Sequence, residues 1–347
     1  MKRTGKKREI RWIIYACLLL FSLGCFLVNE AAAVHKEAVA IHNEESTQES
    51  SEIEETSDIV KTPNIKETSV IKETEDFAEL EVHFIDVGQG DCILVLCDGH
   101  AMLIDAGDNS KGTTVQLYLQ KRGIETLDYV IGTHPHADHI GGLDVIITKF
   151  DCDMILMPKY ETGKKTYRDV MDAMEYRGYQ KTVPEVGDSY PLGDATLTII
   201  AVPEFDYEEE INNYSIGIRL THGNNSFLFM GDAEKETEEE VLQNGVNIQS
   251  DVLKISHHGS YSSTTKEFLK AVSPSYAVIS CGENNDYGYP HAEILNRLRK
   301  AGIKVFRTDE QGSIIASSDG NQITFNTAPS ETWQTGTNSN QKTESNG

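Results

Sequence analysis

Three histidines and one aspartate stand within six residues, His134-Pro135-His136-Ala137-Asp138-His139. Here an apolar run, Tyr129–Thr133, gives way to Ile140-Gly141-Gly142. A run of that length is expected to be a buried strand, so the cluster sits on a strand-to-loop exit. The paired glycines let the backbone turn tightly behind it. Neutral imidazole and carboxylate suit Zn, Mn or Fe, and no thiolate is needed. On an extended segment His134 and His136 point to one side, which leaves Asp138 and His139 to turn toward a second ion. A solvated histidine-rich loop is the plainer alternative, but it does not account for four ligand-type side chains at this spacing.

Charge divides the rest of the chain. The total is -24 over 347 residues. Residues 1–33 carry six bases and two acids, net +4, around the apolar run from Trp12 to Val28. A basic start followed by such a run reads as a signal peptide or an N-terminal membrane anchor through residues 12–28, and Ala31-Ala32-Ala33 supplies a cleavage signal. Either way the domain is expected outside the cytoplasm, secreted or tethered to the membrane. Residues 34–78 carry twelve acids against four lysines. They are rich in Glu, Ser and Thr and read as a disordered acidic linker. Residues 327–347 read as a disordered tail. The folded part is then expected over 79–326, and it bears -19 of the charge. That excludes a protein that holds nucleic acid chiefly through a basic surface.

Within 79–326, short apolar runs such as Leu80–Asp86, Cys92–Cys97, Phe227–Gly231 and Tyr276–Ser280 alternate with helical patterns such as Tyr167–Arg177, Glu234–Asn244 and Ala292–Ala301. Gly88-Gln89-Gly90 and Gly223-Asn224-Asn225 are hairpin signals. The mixture predicts an α/β domain of layered sheets with helices outside. Cys92 and Cys97, five apart on one strand, face opposite ways and cannot pair. With no C-x-x-C present, the domain cysteines read as small buried hydrophobes.

The H-x-H-x-D-H segment resembles the signature of the metallo-β-lactamase fold superfamily. Phe84-Ile85-Asp86-Val87-Gly88-Gln89-Gly90-Asp91, Leu103-Ile104-Asp105-Ala106-Gly107, Phe229-Met230-Gly231-Asp232, Ser256-His257-His258-Gly259-Ser260 and Tyr289-Pro290-His291 are similar to the hydrolase domain of the ComEC family of competence DNA-uptake proteins. The resemblance spans about 80 to 326. It implies an αββα sandwich with two divalent metal ions, Zn or Mn, at one edge. By motif, His134 and His136 would bind the first ion, Asp138 and His139 the second, and Asp232 both. One of His257 and His258 would complete the second site, with His258 favoured as ligand and His257 as a substrate contact. Asp105 would orient a ligating histidine, or serve as an ordinary turn residue before Gly107.

One departure stands out. Where many members of the superfamily place a further histidine, this chain offers only His222, expected beside a hairpin turn and facing solvent. Asn213 stands nearby as a poorer ligand or a turn residue. His291 is expected at a helix start, where it could meet a phosphate, and Ser260 could do likewise. Gln89 and Asp91 flank the first hairpin in a substrate-side or structural role. The implied activity is hydrolysis of a phosphodiester by a metal-activated water, with Asp138 orienting it and His257 or His291 steadying the developing charge. Single-stranded DNA is the substrate the resemblance suggests. A small or envelope-linked ester, or a non-catalytic surface or DNA-uptake accessory role, are the alternatives.

Overall fold

The computed structural model describes residues 79–202 and 210–336. The expected export segment, the linker and residues 337–347 lie outside them. Among the described residues no helix is long and apolar enough to cross a membrane.

Two mixed sheets lie face to face. The first runs in the order β15 (Ile323–Phe325), β14 (Ile314–Ser318), β1 (Leu80–Phe84), β2 (Ile93–Cys97), β3 (His100–Ile104), β4 (Thr126–Ile131), β5 (Asp151–Leu156), β6 (Lys181–Thr182). The second runs β13 (Lys304–Arg307), β12 (Tyr276–Ile279), β11 (Val252–Lys254), β10 (Asn225–Phe229), β9 (Gly217–His222), β8 (Ala195–Ala201), β7 (Ser189–Leu192). Each sheet combines hairpin-linked antiparallel strands with parallel strands entered through helices.

Strand alternation builds the layers. Ile93, Val95 and Cys97 point into the core between the sheets, while Leu94 points toward the outer helices. Phe84, Phe227, Phe229 and Phe306 fill the inner layer. Val115, Ile146 and Val170 cover the outer face of the first sheet. Val241, Phe268, Ile294 and Leu298 cover that of the second. Both faces of each sheet are thus buried, which is the expected αββα sandwich. All four domain cysteines are buried and free, and Cys92 and Cys97 fall in different layers.

Three differences from the sequence reading have physical causes. The helix Leu143–Lys149 is too short for its periodicity to stand out. The strand Ser189–Leu192 holds Pro191, which weakens a strand pattern but is tolerated on the sheet edge where this strand lies. Residues 327–336, read as the start of the tail, continue the folded unit. Ser330 N–H donates to Val305 O (2.7 Å), Arg307 Nη1 donates to Gln334 O (2.6 Å), and Trp333 packs on the helix-side core.

The loop from β1 to β2 closes on the His/Asp cluster. Asp91 N–H donates to Asp138 O at 3.1 Å. Gly90 has φ 128°, and a Cβ there would lie 2.2 Å from Asp138 O. Gly90→Ala is therefore expected to cost about 2–4 kcal/mol, from backbone strain plus the clash. Gly99, also at positive φ but with nothing within 4 Å of its Cβ position, should cost only about 1 kcal/mol on the same change. Urea midpoints of the two variants test the difference.

Candidate metal centre

The first sheet delivers its ligands from the ends of β3 and β4. Asp105, in left-handed backbone (φ 57°), accepts Thr133 N–H on Oδ1 (2.8 Å). Its Oδ2 accepts Thr133 Oγ1–H (2.7 Å) and His139 Nδ1–H (2.8 Å). Asp105 thus aims His139 Nε2 inward, as a residue that orients a ligand does. Ala106 N–H donates to His139 O (2.7 Å), so the loop is tied by its backbone as well. His134 Nδ1 lies 3.2 Å from the hydroxyls of Thr133 and Ser215. Its Nε2 lies 3.0 Å from His136 Nδ1.

The second sheet delivers Asp232 and His258. Asp232 follows β10, and its N–H donates to Ser215 Oγ (3.0 Å). Its Oδ2 is 3.2 Å from His139 Nε2, 3.4 Å from His258 Nε2 and 3.9 Å from His134 Nε2. His257 and His258 both have positive φ (49° and 53°) in the tight turn after β11. That strained turn sends the adjacent rings to different places. His258 is buried, donates Nδ1–H to Ser280 O (2.9 Å), and brings Nε2 to 3.3 Å from Asp138 Oδ2. His257 stands on the rim. Its Nδ1–H donates to Glu234 Oε1 (3.0 Å) and its Nε2 accepts the Tyr289 hydroxyl (3.0 Å). Burial pushes the Tyr289 phenol up to about 12, so it keeps its proton. His258 therefore has the free inward nitrogen and His257 does not.

Two donor groups emerge, each with its atoms within 4.8 Å of one another: His134, His136 and Asp232; and Asp91, His139, Asp232 and His258. Asp232 is common to both. The chemistry of the donors fits cations. His139 and His258 each turn Nδ1 outward, to Asp105 and Ser280 O, so their Nε2 atoms converge at 3.2 Å. Asp232 Oδ1 is buried without a hydrogen-bond partner. Burial holds His134 and His136 well down toward the neutral, ligating form. Burial also lowers His139 and His258, but the carboxylates of Asp232, Asp105 and Asp91 outweigh it and raise both. Burial raises Asp138 and Asp232, and the surrounding imidazoles outweigh it and hold both well below the carboxylate range. The cluster is thus organised around positive charge. It opens into a cleft of about 320 Å³ lined by His136, Asp138, Lys164, Asn212, Asp232, His257, Tyr287 and Tyr289.

The other singled-out residues divide. Asp91 is buried behind His258, with Oδ1 3.3 Å from its Nδ1 and Oδ2 2.5 Å from the buried Lys254 Nζ. Gln89 accepts Gly282 N–H (3.4 Å) and packs between loops. Asn213 is not at the centre. Its Oδ1 accepts Glu234 N–H and Thr237 Oγ1–H (3.0 Å each), fastening the start of the helix Lys235–Asn244. His222, expected to face solvent, is buried and bonded to Ser318 Oγ (2.9 Å), because β14 of the facing sheet covers it. His291 does not offer a ring N–H to the cleft. Nδ1 accepts Tyr261 N–H (3.1 Å) and Nε2 lies 3.2 Å from Tyr287 O. Ser260 Oγ bonds Ser262 Oγ (2.9 Å) beside His257. Sequence reasoning missed Lys254 and Glu234 and assigned no role to Ser215 or to Tyr289, although Tyr289 stands in a quoted motif. Ser215 and Glu234 lie next to motif residues, but only folding shows what they hold.

Residues 85–283, more than half of the chain, match the model of the metallo-beta-lactamase superfamily, and the chain belongs to it. It is 33% identical over 255 residues to ComE operon protein 3 of Bacillus subtilis (strain 168), which covers 68% of this chain and 33% of that one. It is 29% identical over 238 residues to Competence protein ComA of Neisseria gonorrhoeae, 68% and 32%. Exodeoxyribonuclease WalJ of Streptococcus pneumoniae serotype 2 is 31% identical over 105 residues, 29% and 36%. The chain spans about a third of the length of these relatives.

Two expectations follow. Lys254→Met leaves Asp91 buried and unpaired, and should cost about 3–5 kcal/mol. Removing both partners, as Lys254→Met with Asp91→Leu, should recover much of that in urea unfolding. Asp105→Asn, which frees the His139 ring, should weaken metal affinity roughly 10–100-fold in a chelator competition.

Proposed function

We propose that this chain is an exported phosphodiesterase that hydrolyses DNA with two divalent ions, Zn or Mn, at the shared centre. The observation that carries the reading is Asp232, whose one carboxylate serves two donor groups drawn from both sheets. His134, His136 and Asp232 would hold one ion; His139, His258 and Asp232 the other, completed by Asp138, whose Oδ2 lies 3.3 Å from His258 Nε2, rather than by Asp91, which is paired with Lys254. Such a pair of ions, when bound, would supply a more acidic water and neutralise phosphate oxygens. The protein does the rest. Asp138, partly exposed at the cleft floor, would orient the attacking water. His257, held by Glu234, and Tyr289 line the cleft; to steady negative charge on the phosphate, the Tyr289 hydroxyl would turn from His257 Nε2 to a phosphate oxygen. Asp105 and the Ser280 carbonyl keep His139 and His258 from rotating.

The relatives named for competence and for exodeoxyribonuclease activity support DNA as substrate. The basic and then apolar start of the chain supports export, with the membrane touched through residues 12–28 if that segment is retained. The net -19 of residues 79–326 favours a second reading, a small or envelope-linked phosphodiester, because long polyanions are repelled.

Metal analysis of the full chain should give two ions, and turnover should vanish in EDTA and return with Zn or Mn. Asp138→Ala should lower kcat by more than the roughly 10–100-fold typical of losing a residue that only orients a ligand. Cleavage of bis-p-nitrophenyl phosphate without cleavage of single-stranded DNA would move the reading to small diesters. No bound metal and no turnover on either substrate would defeat both.

A further inference from the structure

Tyr261 and Tyr287 are 66% and 60% exposed, two of the three most exposed large apolar side chains among the described residues. Tyr287 lines the metal cleft, and Tyr261 is tied to the same loop through His291. Tyr287 lies flat on Tyr289, centroids 5.2 Å apart and planes at 9°. Tyr261 lies over His291 at 5.1 Å and 34°. Tyr289 and His291 meet edge-on at 5.1 Å. The four rings form one continuous row, and Tyr289 joins it to the centre through His257.

The row is stiff. His291 grips the backbone of both exposed tyrosines, through Tyr261 N–H and Tyr287 O. Asn285 Oδ1 accepts the N–H groups of Tyr287 (3.2 Å) and Tyr289 (2.9 Å). Exposed rings held this way have outer faces ready to stack and little freedom left to lose.

A second observation points to the same ligand. The helix Ala292–Ala301 starts directly after His291 and, with the helix Lys266–Val272, walls a groove of about 700 Å³. Lys266, Lys270, Arg297 and Lys300 line it against one acid, Glu293. Lys266, Lys270 and Lys300 are exposed and, among the described residues, have no carboxylate at ion-pair distance. On a domain of net -19 this is a local patch that attracts phosphate.

We propose that Tyr261 and Tyr287 stack unpaired bases of a single nucleic-acid strand whose backbone continues over the lysine groove. Stacking needs bases out of a duplex, and every base has a face to offer. The basic residues are confined to one groove, while the acidic surroundings repel the wider surface of a duplex. This rests on the reading of the centre as a nuclease and adds how the strand is held.

The test is fluorescence anisotropy of the full chain, in EDTA, with a labelled oligothymidylate and with the same oligomer made abasic. The wild-type chain should bind the base-bearing strand about tenfold or more tighter. Tyr261→Ala with Tyr287→Ala should bring that ratio to about one and leave the abasic affinity unchanged. Tyr261→Phe with Tyr287→Phe should keep the ratio, which separates stacking from misfolding. Lys266→Ala with Lys270→Ala and Lys300→Ala should weaken both oligomers alike and flatten their salt dependence. A wild-type ratio of one, a ratio unmoved by the alanine pair, or no binding at all would overturn the proposal. Because binding is read without cleavage, a base-dependent ratio in a chain that hydrolyses nothing would sink the nuclease reading alone. DNA cleavage with a ratio of one would sink this proposal alone.

Discussion

The carboxylate of Asp232 sets the terms for the rest of the molecule. It is buried at the junction of two sheets, with imidazoles of His139 and His258 at 3.2 and 3.4 Å and one oxygen left without a hydrogen-bond partner. A buried charge in that state is costly unless cations complete it. The nitrogens around it come from β4's exit loop on one sheet and from the turn after β11 on the other. The centre therefore exists only when the sheets are stacked in one register. The core between them, from Phe84 and Val95 to Phe227 and Val278, maintains that stacking through its apolar burial.

Around that carboxylate, the supporting contacts form a second framework. Asp105 joins β3's end to β4's exit loop through Thr133 and His139. Ser215 links His134 and Asp232. Lys254 of β11 crosses to Asp91, which follows the first hairpin and backs His258. This last pair is fully buried. Its value for stability is modest against a well-packed apolar pair, but either partner alone is expensive. It therefore enforces one pairing of the sheets. The left-handed residues Asp105, His257 and His258 carry backbone strain at the same place, held by these contacts.

The domain's acidity and the chemistry of its cleft pull in opposite directions. Bulk charge repels polyanions, yet the lysine groove is a local exception, on the helix that follows the ring row. Steering a substrate depends on the field near the site more than on the sum of charges.

Much of this was legible in the amino-acid order. Alternating apolar runs determined the strands, and the glycine-flanked turns determined the hairpins, because side-chain period and turn geometry are local. The crowding of His134, His136, Asp138 and His139 on a strand exit announced a metal site, since ligand type and spacing are written in sequence. The order of residues did not decide between His257 and His258, whose rings part only because a strained turn and the Tyr289 and Glu234 contacts claim one of them. Nor did it exclude Asn213, show that β14 buries His222, or pair Lys254 with Asp91 across 163 residues. All are contacts between segments distant in the chain, the last two between the sheets and the others among the loops of the second sheet. Local propensity carries no record of them, so the tertiary packing decided them.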